Sequence, residues 1–498
     1  MTSKSLKNFK FKIMMRILIK AVLLSVFSFV FPLDFAAQTL NNQPPKSLSI
    51  VNVTVIDTKG GKSKPGMTVL IAGNRISAIE KSGAIKVPED AQVIDGTNKF
   101  LIPGLWDMHT HIWDKDSLFP AYIANGITGV RDMGTVLEPW VKWRKQVEDG
   151  EMIGLRAVIS GKIVDGYKPF FYFFVQATDE EKGREFVRIF KSQGADFIKV
   201  YDRLPRNLYL AIADEAKRQN MPFAGHVPIE VKASEASNLG QKSIEHLTGI
   251  SMECSTEETR LQAEAVKILN DLRKEGLKPE ELSAGFRRFY ELARYEPLDT
   301  YNEKKAKQLF TVFRRNNTWQ VPTLVVRDYM EDEAQRNRIT QNLKFFPAFF
   351  KNMVLPENKL TAEEVEKAKK RFQKELEIIR AMRRAKVKFL AGSDAPNPYS
   401  VPGFGLHDEL MLLVEAGFSP AEALQTATIN AAEYLGKTNL FGTVEPGKMA
   451  DLVLLEANPL SNINNTRKIA AVIANGNFLN QTKLQEMLAL LEAKANKK

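Results

Sequence analysis

One cysteine in 498 residues, Cys254, leaves the chain no intrachain disulfide, so its stability has to come from packing. No cysteine stands near the N-terminus, which argues against a lipid-modified anchor there. Scarce cysteine fits a bacterial periplasm and a cytosol equally well. Aromatic residues are not interleaved with the basic ones, so the footprint of a nucleic-acid groove is missing and no nucleic-acid partner is expected. The formal charge of +11 does not overturn this. Lys4, Lys7, Lys10, Lys12, Arg16 and Lys20 against Asp34 put +5 in the first segment, and the remainder is scattered among Asp and Glu. A long apolar run is lacking too. The stretch 21–32 is too short to span a bilayer comfortably. With its basic start and the small pair Ala36-Ala37 it reads as a secretory signal over residues 1–37. The expected location is therefore exported, periplasmic or secreted from a bacterium, with no stable membrane insertion once the signal is removed.

Apolar residues make up 44% and charged residues 26%, the composition of a folded chain. The length exceeds what one core fills, so a large domain with a small companion is expected. Residues 38–102 alternate short β-branched runs with turn residues, and the same texture returns over 439–480. Neither end has enough strands for independent stability, so the two are expected to pair into one small β-sandwich. Between them, over 103–438, short apolar strands alternate with helical stretches. Strand candidates lie at 105–112, 126–132, 157–160, 197–201, 223–227, 243–247, 319–326 and 388–393. Eight βα repeats make the fold class α/β, with a (β/α)8 barrel as the expected core. Two charged, helix-patterned connections, 251–317 and 327–386, are insertions whose role is either solvated decoration or a cover over the barrel mouth. Residues 481–498 form a helical tail.

Histidine is rare, at five, and its placement is informative. His109 and His111, one residue apart on a strand, put both imidazoles on one face. His226, His246 and Asp394 each stand at the C-terminal edge of a strand, the rim where barrel enzymes carry their chemistry. A lone histidine is more often a satisfied core residue. Four imidazoles and a carboxylate at strand ends suit a borderline divalent cation such as zinc.

Pro103-Gly104-Leu105-Trp106-Asp107-Met108-His109-Thr110-His111 resembles the PGLxDxHxH opening of the amidohydrolase superfamily. Gly194-Ala195-Asp196-Phe197-Ile198-Lys199-Val200 resembles its fourth-strand lysine motif, and Ala391-Gly392-Ser393-Asp394 its eighth-strand aspartate. The stretch from Leu406-His407-Asp408-Glu409-Leu410 through Gly442-Thr443-Val444-Glu445-Pro446-Gly447 is similar to its closing segment. The likeness covers nearly all of residues 47–480 and leans to the imidazolonepropionase-like and prolidase-like branch, which includes dipeptidases and N-acyl amino acid hydrolases. It implies two divalent metal ions, zinc by expectation, with His109, His111 and Asp394 on the more buried ion and His226 and His246 on the other. Lys199, carboxylated by CO2, would bridge both; the chemistry is plausible because a lysine beside two cations is pushed below its free pKa. The implied activity is cleavage of amide or peptide C–N bonds by a metal-bridging hydroxide, with Asp394 shuttling the proton and a small-molecule or short-peptide substrate. The same centre would also serve a lactone, cyclic amide or phosphoester, and a non-catalytic metal-binding exported protein is the reading from another class. A homo-oligomer is left open.

Other residues carry weaker expectations. Tyr201, two after Lys199, points to the same face and is either a hydrogen-bond donor to substrate or a cap on the core. Arg131 ends the second strand as either a clamp for an anionic substrate or the partner of a barrel carboxylate, the latter preferred. Phe170 and Phe171 open an aromatic run, 170–174, that would line a pocket or pack beneath the insertions. His407 begins a helix and is read as structural.

Overall fold

The computed structural model describes residues 47–497 apart from 170–171, 275, 327–332 and 356–360, with side chains 333–335 also left aside. The signal expected over 1–37 and the aromatic pair Phe170-Phe171 lie outside the described residues.

Strands from both ends of the described chain are hydrogen-bonded into one eight-stranded sheet. The join is antiparallel, Phe100–Pro103 against Leu452–Leu455. Side-chain alternation explains why Leu452–Leu455 is apolar throughout. Leu452 and Leu454 enter a core shared with Leu48, Ile50, Val69, Ile71 and Ile473. Val453 and Leu455 face the other way, into the main core of the molecule.

The middle of the chain holds two parallel sheets. One joins Leu105–Thr110, Ile127–Asp132 and Arg156–Ile159. The other runs in the order Phe174–Gln176, Ile163–Asp165, Ile198–Val200, Phe223–Gly225, Ser243–Glu245, Trp319–Val321. The short strands Ile163–Asp165 and Phe174–Gln176 are additions to the expected set. In place of the strand expected over 388–393 there is one isolated bridge, Phe389 with Gln320, and a second follows just beyond it, Ala395 with Thr110. Nearby, the Met108 N–H donates to Ala391 O and the Asp394 N–H to His109 O, linking this segment to the first sheet. At the other edge the Asp196 N–H donates to Ile159 O. The class is mixed α/β, with helices such as Arg206–Arg218 and Gly405–Glu415 packed on the strands.

Both long connections are helical, as their charge patterning predicts. The first contains Glu258–Leu272 and Pro279–Tyr290, which runs on into a π-helical turn, Glu291–Tyr295, and later Glu303–Asn316. Leu261, Ala265, Leu269, Phe289 and Leu292 bury its apolar stripe against Ile229 and Met252. The second contains Ala362–Arg384, begun by a capping box between Thr361 and Glu364. Its Lys367 and Arg371 both pair with Glu291, tying the two insertions together at the π turn. Among the described residues no helix is long and apolar enough to cross a membrane.

Candidate metal centre

The His109 and His111 rings lie 5.6 Å apart at the end of Leu105–Thr110, as the one-residue spacing on a strand requires. His246 comes within 4.6 Å of His109, and His226 within 4.8 Å of His246, ring centre to ring centre. Asp394 closes the group. Its Oδ1 is 3.3 Å from His109 Nε2 and 3.2 Å from His111 Nε2, and its Oδ2 is 3.8 Å from His246 Nε2. The four histidines and Asp394 thus converge from segments far apart in the chain.

Each imidazole is engaged through Nδ1. His109 Nδ1 meets Glu245 Oε2 at 2.7 Å, His246 Nδ1 meets Thr323 Oγ1 at 2.6 Å, and His226 Nδ1 meets Asp202 Oδ2 at 3.3 Å. His111 Nδ1 sits 3.3 Å from Gly134 O. Anchoring the rings on one nitrogen aims the other, and metal-binding histidines are oriented in this way. His109 Nε2 is buried and has no hydrogen-bond partner among the described residues, a cost that a cation would relieve. His109, His246 and Asp394 offer ligand atoms within 4.8 Å of one another. The donor set, neutral nitrogens and one carboxylate, fits a divalent cation.

The local backbone is arranged to bring these groups together. Asp394, His246, Leu247 and Thr323 all have positive φ, between 47° and 57°, which non-glycine residues adopt at a cost of about 1–3 kcal/mol each. Such outliers gather where a site over-determines them. Asp107, in the same motif as the histidine pair, accepts the Ser393 N–H at 2.9 Å and the Ser393 hydroxyl at 2.5 Å, pinning the turn that presents Asp394. Burial pushes Asp107 up to about 7. A Cβ on Gly392 would stand 2.6 Å from His109 Cβ, so only glycine lets the two segments close.

Lys199 is 1% exposed on Ile198–Val200, and no hydrogen bond or ion pair reaches its ammonium among the described residues. Burial pulls it down to about 8. Burial would raise Asp394, but His109, His111 and Lys199 outweigh it and hold the carboxylate below its usual range. Burial and Lys199 bring His226 down to about 3.

Arg131 lies beneath this group and not in the cavity wall. Its Nε donates to Met108 O, NH1 to Ser243 Oγ and Tyr434 OH, and NH2 to both oxygens of Glu245. Of the two alternatives, the carboxylate partner is the one observed, and that partner is Glu245. Tyr201 stacks on His226, centroids 4.1 Å apart, and burial raises its phenol well above the usual range. His407 is remote, held by Thr466 Oγ1 at 2.9 Å and Asn125 O at 3.0 Å.

Over the group opens a cavity of about 560 Å³, within the range of small-molecule sites. Phe173, Phe174 and Tyr201 line it, and both insertions reach it, through Arg294 and Tyr295 of the first and Met353 of the second. The insertions are therefore walls of the site. Sequence reasoning missed Glu245, Asp202, Thr323 and Arg294. Glu245 and Asp202 carried a usable signal, since acidic side chains in strand-end segments rarely stay buried without a partner.

Residues 326–479 match the Amidohydrolase family. An imidazolonepropionase from Geobacillus kaustophilus (strain HTA426) is 48% identical over 59 residues, 12% of this chain and 14% of that protein. The chain thus aligns with about one seventh of that relative's length. Among solved structures, a putative prolidase from Bifidobacterium longum superposes with TM-score 0.61 at 23% identity, covering 90% of this chain and 99% of the other. A bottromycin amidohydrolase gives TM-score 0.68 at 21% identity, covering 91% and 92%. These two likenesses establish a common fold. The matched segment contributes Asp394 to the histidine group, and this match and the short alignment with imidazolonepropionase support the amidohydrolase superfamily.

Proposed function

We propose that this protein is an exported, metal-dependent hydrolase that cleaves amide or peptide C–N bonds, acting on dipeptides or N-acyl amino acids. The observation that carries the reading is the common orientation of the four imidazoles, each engaged through Nδ1, with the Nε2 atoms of three of them facing Asp394. In this reading the eight strand segments close into a (β/α)8 barrel whose C-terminal rim carries the site. His109, His111 and Asp394 would hold one divalent cation and His226 and His246 a second, with Lys199, once carboxylated by CO2, offering its oxygens to both. The low ammonium pKa supports that modification, since only the neutral amine attacks CO2. Zinc is the expected metal.

Bound divalent cations supply Lewis acidity, polarising a carbonyl and acidifying water. The chain's own residues do the rest. Asp394, kept ionised, takes the proton of the attacking water and hands it to the departing amine. Tyr201, kept protonated, donates a hydrogen bond to the substrate from the cavity wall. Glu245, fixed by Arg131, holds His109 in the tautomer that leaves Nε2 as a donor to metal.

The test is to assay metal-loaded protein against a library of dipeptides and N-acyl amino acids, with Asp394→Asn alongside. Activity on some members and a loss of about 10²- to 10⁴-fold in the variant, with its metals retained, is the expected result. Full activity in Asp394→Asn removes the proton shuttle, and hydrolysis of lactones or phosphotriesters alone removes the substrate class.

A further inference from the structure

Three guanidiniums lie close to the histidine group, and their donors are used very differently. Arg131 spends Nε, NH1 and NH2 on Met108, Ser243, Tyr434 and Glu245. Arg203 is fully buried, pairs with Asp165 and lies outside the cavity lining. Arg294 lines the cavity and makes one hydrogen bond, NH2 to Asp202 Oδ2 at 3.1 Å. Among the described residues its Nε and NH1 have no partner. The cavity wall contains one other cation among the described residues, Lys199, at its base between the imidazoles.

The position of Arg294 is held from three sides. It sits in the π-helical turn Glu291–Tyr295, an irregularity of the kind often found at functional sites. Glu291 at the start of that turn is gripped by Lys367 and Arg371 of the second insertion. The guanidinium rests over the Tyr290 ring at 4.8 Å, and Asp202 fixes one of its edges. Asp202 Oδ2 also meets His226 Nδ1, so Arg294 stands one carboxylate away from a predicted metal ligand. Elsewhere the cavity offers apolar surface, with Trp113 and Phe173 on the side of His111.

We propose that Arg294 is a specificity-determining residue that binds the carboxylate of the substrate through its uncommitted donors. The open Nε–H and NH1 groups lie on different sides of the planar guanidinium, and either can donate a charge-assisted hydrogen bond to a carboxylate. The substrate class is an acid with its anionic group next to the scissile bond and an apolar or aromatic group reaching toward Trp113 and Phe173. This rests on the amide-hydrolase reading for the position of the scissile bond, but the anion site itself depends on binding alone.

The test therefore reads binding first. Calorimetry on metal-loaded protein compares hydrocinnamate with hydrocinnamyl alcohol, neither of which has a C–N bond to cleave. Wild type is expected to prefer the acid, and Arg294→Met to lower the acid-over-alcohol ratio by about 10- to 100-fold, the worth of a hydrogen bond to a charged group. Arg294→Lys should keep part of the preference, and metal content measured in each sample separates loss of the anion site from loss of the centre. No acid preference in wild type, or an unchanged ratio in Arg294→Met, overturns the assignment. The same proteins are then assayed on N-acetyl-phenylalanine and its amide. Discriminating binding with no C–N hydrolysis of any substrate sinks the functional reading and leaves the anion site standing. Hydrolysis with equal kcat/KM on acid and amide sinks the anion site and leaves the functional reading standing.

Discussion

Arg131 and Arg294 approach the same cluster of imidazoles from below and from above, and they are surrounded in opposite ways. Below, the guanidinium is fully buried and saturated, and the carboxylate it grips passes the constraint to His109. Above, the guanidinium is partly open, belongs to an insertion, and shares its wall with Tyr295 and Met353. The floor fixes distances, as a metal centre needs, because a small error in ligand placement costs affinity directly. The roof leaves donors open, as selection among substrates needs. On the proposed reading, one fold separates chemistry, built on strand ends, from recognition, built on inserted helices.

The contrast can be broken at three points. The largest effect is expected in the floor. Arg131→Met leaves Glu245 charged and buried, which should lower stability by about 3–5 kcal/mol in chemical denaturation and weaken metal retention. A variant as stable as wild type would mean the pair is dispensable. A smaller effect is expected behind His246: Thr323→Val removes the partner of its Nδ1 and should cost about 10- to 100-fold in metal affinity with the fold intact. Chelator competition measures it, and unchanged affinity would mean that backbone geometry alone orients His246. The smallest effect is expected in the roof. Arg371→Met loosens the hold on Glu291 and should change stability by no more than about 1 kcal/mol, as partly exposed ion pairs do. It should raise KM while leaving metal content alone; a loss of metal would show that roof and floor are coupled.

The floor was also the more legible half. The convergence of the imidazoles with Asp394 could be read because its members sit in short local motifs at or just after strand segments. His109 and His111 need only their spacing, and Asp394 only its place after an apolar run. The eighth segment was legible as an apolar stretch, though its backbone makes one isolated bridge in place of a regular ladder, with Asp394 in a left-handed conformation. Glu245 adjoins His246, but its pairing with Arg131 and His109 spans separations of more than a hundred residues, which no local pattern encodes. Arg294 gave no signal at all. It is one arginine among many in a charged helical stretch, and only the π turn and the neighbouring insertion bring it to the cavity. The strands Ile163–Asp165 and Phe174–Gln176 were missed because three residues are too few to set a period.

The account depends first on the six side chains acting as one binuclear centre. Elemental analysis of purified protein, after incubation with zinc and bicarbonate, compares wild type with Lys199→Ala. The account predicts two divalent ions per chain in wild type, and in Lys199→Ala a fall to one or none that is not explained by unfolding. A wild-type chain that takes up no divalent ion, or a Lys199→Ala chain that holds two as tightly, contradicts it.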